Sequence, residues 1–232
     1  MHRILFVCHG NICRSPMAEF VMKDLVKKAG VERKFSIASA ATSTEEIGSP
    51  VYPPARRKLW EHGIRCDGKT ARQIRAADYE DYDLLIGMDE ANMRNMSRCF
   101  GGDPAGKLHL LLGFAGREDS VADPWYTGDF EATWQDVNEG CLALLNQLYP
   151  EVRLDFSGCR SRSELYALMA ERMLWQEDYG QNLDALYDIL TGLPHYGRSF
   201  VIRLPDADTP VHGYAERIVE VFRETGLPLT VE

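Results

Sequence analysis

The stretch that most constrains this chain is Cys8-His9-Gly10-Asn11-Ile12-Cys13-Arg14-Ser15-Pro16, set between the apolar run Ile4-Leu5-Phe6-Val7 and a segment with Ala18, Val21, Met22 and Leu25 at helical spacing. The order reads strand, tight loop, helix. Such a loop turns successive backbone N–H groups inward at a helix N-terminus, where the macrodipole adds positive potential, so an anion of phosphate size is its expected occupant. Gly10 and Asn11 best tolerate positive φ in the turn, Ser15 is the expected N-cap and Pro16 the expected first helical residue. Cys8 and Arg14, with five residues between them, put a thiol at the base of the cradle and a planar guanidinium fork on its rim, matched to two phosphoryl oxygens. A thiol so surrounded is expected to titrate in the ~3.5–7.5 range of activated cysteines and to be a nucleophilic thiolate at neutral pH. A lone Cys ending a strand is ordinarily inert core, so the whole string carries the inference.

Composition sets the frame for that loop. The 232 residues leave room for two domains, and the charge is uneven. Residues 151–232 hold 14 acids against 8 Arg, which is −6 of the net −9, and no lysine follows Lys107. That shift predicts a second unit with a basic partner and makes nucleic acid an unlikely direct ligand. No apolar run approaches the ~18 residues of a membrane span, and Met1-His2-Arg3 leads straight into a strand, so a cytoplasmic location without membrane attachment is expected. The cysteines at 8, 13, 66, 99, 141 and 159 lack metal-ligand spacing and are expected to be reduced thiols, with no metal and no cofactor.

Further along, Phe35-Ser36-Ile37-Ala38 reads as a strand, Pro50 to Gly63 as a helix with Leu59 and Trp60 inward, Tyr82 to Met88 as a buried strand, and Asp89 as the cap of the next helix. Lys107 to Leu111 is a further strand. The alternation predicts a parallel sheet flanked by helices, with ligands at the carboxyl ends of its strands. Asp123-Pro124-Trp125-Tyr126, ahead of a helix from about Asp129 to Leu148, would by itself be no more than a turn.

The string Val7 to Glu19 resembles the signature of the low-molecular-weight protein tyrosine phosphatases, and Met88-Asp89-Glu90-Ala91-Asn92 is similar to another segment of that family. The resemblance covers residues 1 to about 150 and implies a three-layer α/β phosphatase domain. It makes Cys8 the nucleophile, Arg14 the phosphate ligand and Asp123 the general acid, whose pKa the nearby phosphate should raise. His9, Gly10, Asn11, Ile12, Cys13 and Ser15 would line the phosphate loop, with Trp125 and Tyr126 as an aromatic wall. The expected substrate is a phosphotyrosine protein or an aryl phosphate. Ile12 resembles the tyrosine-specific members, whereas arginine-phosphate phosphatases of this fold carry a smaller polar residue there. Cys13, close to Cys8 in the loop, is expected to trap oxidised Cys8 as a disulfide. The chain departs from the family where Thr44-Glu45-Glu46-Ile47-Gly48 offers acids in place of a pocket tryptophan, and in lacking a His ahead of Ala71-Arg72-Gln73. Two rivals stay open: an arsenate reductase, although neither Cys66 nor Cys99 has a cysteine nearby in sequence, and a phosphate-binding module without turnover.

After Tyr149-Pro150-Glu151 a second domain, 151–232, is expected. Val152 to Phe156 alternates like a strand, and Ser161-x-x-Glu164 is a capping box ahead of Leu165, Leu168, Met169 and Met173. A helix from Asn182 to Thr191 puts Leu183, Leu186, Tyr187 and Leu190 on one face, ends at Gly192 and is stopped by Pro194. Asp184 and Asp188 sit at i, i+4, where like charges work against the helix. Strands at Phe200–Arg203 and Leu227–Thr230 flank a helix from Val211 to Thr225. Asp178 to Gly192 resembles barstar, the intracellular inhibitor of an extracellular-type ribonuclease, and so does Val221-Phe222-Arg223-Glu224. The resemblance implies a small α/β domain with a three-stranded parallel sheet, which binds a basic ribonuclease through Asp184, Asp188, Gly192 and Glu224. Asp178 and Leu193 depart from that family's aromatic contact residues.

Overall fold

Strand β1 (His2–Cys8) is buried from Ile4 to Cys8 without alternation, because it lies in the middle of a parallel sheet covered on both faces. The computed structural model describes residues 1–175, 180–192 and 198–232. It divides the chain into one unit of Met1–Lys27 with Val31–Leu144 and another of Lys28–Gly30 with Leu145–Glu232.

In the first unit β1 pairs with β2 (Phe35–Ala41) on one side and β3 (Leu84–Gly87) on the other, and β4 (Leu108–Leu110) pairs with β3. All pairings are parallel and the order is β2-β1-β3-β4. The chain leaves β1 toward β2 and later returns to the other side of β1 with β3. The crevice at that switch, beyond the carboxyl ends of β1 and β3, is where an open α/β sheet takes its ligand. Helices α1 (Arg14–Lys28), α2 (Pro53–Glu61), α3 (Asp78–Asp81), α4 (Glu90–Phe100), α5 (Pro124–Thr127) and α6 (Phe130–Leu148) complete the unit. Leu5, Val7 and Leu85 pack with Ala40, Ile74 and Met96 in one apolar cluster. Helix α6 comes close to the chain after β4 because Gly140 has no side chain; a Cβ there would lie 2.5 Å from Leu111 Cγ.

Two sequence expectations fail here. Helix α2 is shorter than Pro50–Gly63 because Pro53 and Pro54 occupy its first turn. Trp60 is 71% exposed, since Ala55 and Leu59 at i, i+4 define the buried stripe and Trp60 lies a further 100° round the helix. Asp89 caps α4 as expected, accepting from the Asn92 N–H at 2.7 Å.

In the second unit β5 (Glu151–Asp155), β6 (Ser199–Arg203) and β7 (Leu229–Val231) form a parallel sheet in that order. Leu154, Phe156, Phe200 and Ile202 meet Leu165, Met169, Leu186 and Phe222 in its core. These come from α7 (Arg162–Met173), α8 (Leu183–Gly192) and α9 (His212–Glu224). Ser161 Oγ accepts from the Glu164 N–H, but the Glu164 carboxylate reaches back to the Arg160 N–H rather than to that of Ser161. On α8, Leu186 and Leu190 are buried and Leu183 is half-buried, whereas Tyr187 is 41% exposed, one step round from the apolar stripe it was expected to join. Asp178, Leu193 and the helix stop at Pro194 lie outside the described residues. Among the described residues no helix is long and apolar enough to cross a membrane.

Candidate active site

The loop after β1 is built around Asn11, which adopts φ 56°. Asn resists that conformation less than other side chains, and here three contacts hold it. Its amide Nδ2 donates to Ser15 Oγ at 2.9 Å and to Ser39 Oγ at 2.8 Å, while Oδ1 accepts from the Arg72 N–H at 3.3 Å. The turn points the Asn11 N–H at Cys8 Sγ, 3.3 Å away, and Ser15 Oγ lies 3.0 Å from the same sulfur. Both groups are placed to donate to the sulfur. Two local expectations change accordingly. Gly10 is not among the residues at positive φ, and Ser15 does not cap α1. The helix begins at Arg14, so Ser15 is its second residue and its hydroxyl is aimed at the thiol. Pro16, now third, still sits where no intrahelical N–H is needed.

Below the loop the network continues to a buried carboxylate. Ser39 Oγ donates to Glu19, which also meets Lys69 Nζ at 2.9 Å and Lys23 Nζ at 2.5 Å. Burial pushes the Glu19 carboxyl up, but Lys69, Lys23 and Ser39 outweigh it and hold the group below its ordinary value. Sequence reasoning passed over Ser39 and Lys69, because neither lies in a motif and only the fold brings them under the loop.

Arg14 is nearly buried and held by two carboxylates: Nη1 is 2.7 Å from Asp89 Oδ2, and Nη2 is 2.6 Å from Asp123 Oδ2. Asp89 therefore caps α4 with one oxygen and anchors the guanidinium with the other, a role its place after β3 explains and the sequence reading missed. Asp123 is the N-cap of α5, accepting from the Trp125 N–H at 3.1 Å, so the Asp-Pro turn fixes its carboxylate toward the loop.

Cys8, His9, Gly10, Ile12, Cys13, Arg14, Asp123, Trp125 and Tyr126 line one pocket of about 210 Å³, joined by Glu45 and Glu46. Of the expected phosphate-loop residues, Asn11 and Ser15 are buried and support the loop from beneath. Trp125 and Tyr126 are 59% and 86% exposed, which suits a wall open to a large substrate. Tyr52, which the sequence reading did not single out, backs Trp125 with ring centroids 5.6 Å apart. Burial, helped by the charges of Cys8, Asp123 and Glu46, pushes the Cys13 thiol up to about 12, so it is neutral at pH 7. All six cysteines are free thiols, and among the described residues no group of three His, Cys, Asp or Glu is placed to hold a metal ion.

In the second unit Asp184, Asp188, Gly192 and Glu224 are all exposed, the first three on α8 and the last at the end of α9, which packs against α8.

Residues 3–154 match the family described as low molecular weight phosphotyrosine protein phosphatase, and residues 149–227 match the family described as barstar (barnase inhibitor). The low molecular weight protein-tyrosine-phosphatase YfkJ of Bacillus subtilis is 38% identical over 156 residues, covering 66% of this chain and all of that protein. A low molecular weight phosphotyrosine protein phosphatase of Gallus gallus is likewise 38% identical, over 62% of this chain and 94% of its own. The crystal structure of YfkJ superposes with a TM-score of 0.62 at 39% identity, covering 64% of this chain and 94% of the other.

Proposed function

Because the chain belongs to the low molecular weight phosphotyrosine protein phosphatase family through residues 3–154, we propose that Cys8, Arg14 and Asp123 carry its hydrolysis of phosphotyrosine, and that a barstar-like domain holds a basic protein partner. In the first step the Cys8 thiolate attacks phosphorus, the S–P bond forms and the P–O bond to the tyrosyl ring breaks. Protonated Asp123 gives its proton to the leaving oxygen. In the second, Asp123 as carboxylate takes a proton from water, whose oxygen attacks phosphorus and releases the Cys8 thiolate and phosphate. Arg14 and the loop N–H groups hold the equatorial oxygens throughout, matching charge that spreads over them in the transition state.

The observation that carries this reading is the convergence on one pocket of Cys8 Sγ and Arg14 from the loop after β1 and of Asp123 from the Asp-Pro turn, with Arg14 fixed by Asp89 from a third segment. Turnover of a chromogenic aryl phosphate tests it: the intact chain should hydrolyse it and Cys8→Ser should not. Turnover retained by Cys8→Ser would refute the assignment. Cys13 would protect the nucleophile, its thiol condensing with a Cys8 sulfenic acid to a disulfide and water. Peroxide inactivation should then be reversed by thiols in the intact chain and far less in Cys13→Ala, and equal recovery would remove Cys13 from the account.

The domain junction falls at residue 150, with 151–232 as the partner-binding domain. Its partner would be a basic ribonuclease or similarly basic protein, met by Asp184, Asp188 and Glu224 with Gly192 allowing close approach. Support comes from the barstar family match, the −6 charge of residues 151–232 and the exposure of all four positions.

A further inference from the structure

The loop after β2 brings two carboxylates to the mouth of the pocket that the phosphatase mechanism does not use. Glu45 and Glu46 line the same pocket as Cys8, Arg14 and Asp123. The loop is tied down on both sides. The Thr42 and Ser43 N–H groups donate to the carbonyls of Cys8 and His9 at 2.9 and 3.0 Å, and the Gly48 N–H donates to the Ala71 carbonyl at 2.9 Å. A Ser49 N–H to Glu46 carbonyl bond at 2.9 Å closes the turn that carries the acids. Glu46 packs directly on the phosphate loop: a Cβ on Gly10 would lie 3.3 Å from Glu46 Cγ, a tight contact that the glycine relieves. Among the described residues no cation pairs with Glu46. The Glu45 carboxylate faces His9, whose Nε2 is 3.1 Å from Glu45 Oε2, with both side chains more than half exposed.

An anionic phosphoryl group entering past two fixed carboxylates is repelled, and a cation beside it on the substrate turns that repulsion into attraction. Building on the phosphatase reading, we propose that Glu45 and Glu46 determine specificity by selecting phosphotyrosines flanked by lysine or arginine. Exposed Ile47, next in the loop, adds apolar area for the stem of such a side chain. The flanking contacts are made equally in the ground state and the transition state, so the selection falls on KM and leaves kcat similar between peptides. Two half-exposed ion pairs support a difference of about fivefold in kcat/KM between lysine-flanked and glutamate-flanked peptides. The difference should shrink toward 1 M salt, where the Debye length is about 3 Å.

The test uses the full chain with three phosphotyrosine peptides identical except for lysine, serine or glutamate flanks, beside a small aryl phosphate. The expected order of kcat/KM is lysine, serine, glutamate, and the lysine-to-glutamate ratio should fall toward one in the Glu45→Gln/Glu46→Gln double variant. Equal efficiencies, a reversed order, or a ratio that survives the double substitution would overturn the proposal while aryl phosphate turnover upheld the phosphatase reading. No turnover of any substrate by the intact chain would overturn that reading and the proposal with it.

Discussion

The two units handle charge in opposite ways. Beneath and beside Cys8 two ionic groups are buried and answered: Arg14 lies between Asp89 and Asp123, and Glu19 between Lys23 and Lys69. On the second unit Asp184, Asp188 and Glu224 stand in solvent, and the two aspartates repel each other along α8. Charges that must stabilise a transition state are costly to reorganise during the reaction, so they are fixed beforehand by partners and by the fold. Charges that serve association work from the surface, where they steer an encounter and are desolvated only when a partner arrives. The same residue type therefore has different consequences in the two units, and substitutions can separate them.

Apart from the nucleophile itself, the largest effect is expected at Asp123. Asp123→Asn removes the proton donor while keeping the shape of the α5 cap, and should slow the step that breaks the P–O bond by ~10²–10⁴ on an aryl ester with a poor leaving group. A good leaving group needs no proton, so the loss there should be much smaller. Equal losses on both esters would mean that Asp123 only positions Arg14.

Next comes the acidic edge, where the comparison is sharpest. Asp188→Ala should weaken binding to a basic ribonuclease by about 2–5 kcal/mol, the general range for buried charge pairs, in which barstar complexes are themselves a reference case. Its effect on folding should be small and of opposite sign, a gain of ~0.2–0.5 kcal/mol from relief of the i, i+4 repulsion. Calorimetric titration and thermal melts of the same variant measure both. Association should slow as salt rises, and salt-insensitive binding would place the contact on another surface.

The smallest effect on rate but a clear one on stability belongs to Lys69. With Lys23 still in place, Lys69→Ala should cost ~3 kcal/mol of unfolding free energy at pH 7, the low end for breaking a buried ion pair. Glu19 is held below its ordinary value in the folded state, so its contribution is fully present above the unfolded value of ~4.3 and is lost as pH falls through the folded value. The gap between intact and variant chains should therefore close on acidification below about pH 4. A gap that does not change with pH would show that Lys69 acts through packing alone.

Much of this was legible in the sequence. The strand, loop and helix around Cys8 announce themselves because motif, turn chemistry and apolar pattern agree there, and Asp89 and Ser161 sit as caps where side-chain chemistry demands them. The misses have a common origin. Trp60 and Tyr187 are large and apolar, and periodicity over a short helix does not tell the edge of a buried stripe from the first exposed position. Ser15 fits a local rule for helix caps, but the helix starts one residue earlier, at Arg14, and the Ser15 hydroxyl turns to Cys8 within the loop. Asp89, Ser39 and Lys69 joined the site only when β1, β2 and β3 were set side by side, a proximity that no local pattern encodes.

The most direct test is to catch the intermediate. An acid quench during turnover of an aryl phosphate, followed by peptide mass spectrometry, should find a phosphoryl group on Cys8 in the intact chain. It should accumulate further where breakdown is slowed, and be absent in Cys8→Ser. A phosphoryl group on any other residue, or full turnover by a chain whose Cys8 never carries one, would contradict the account.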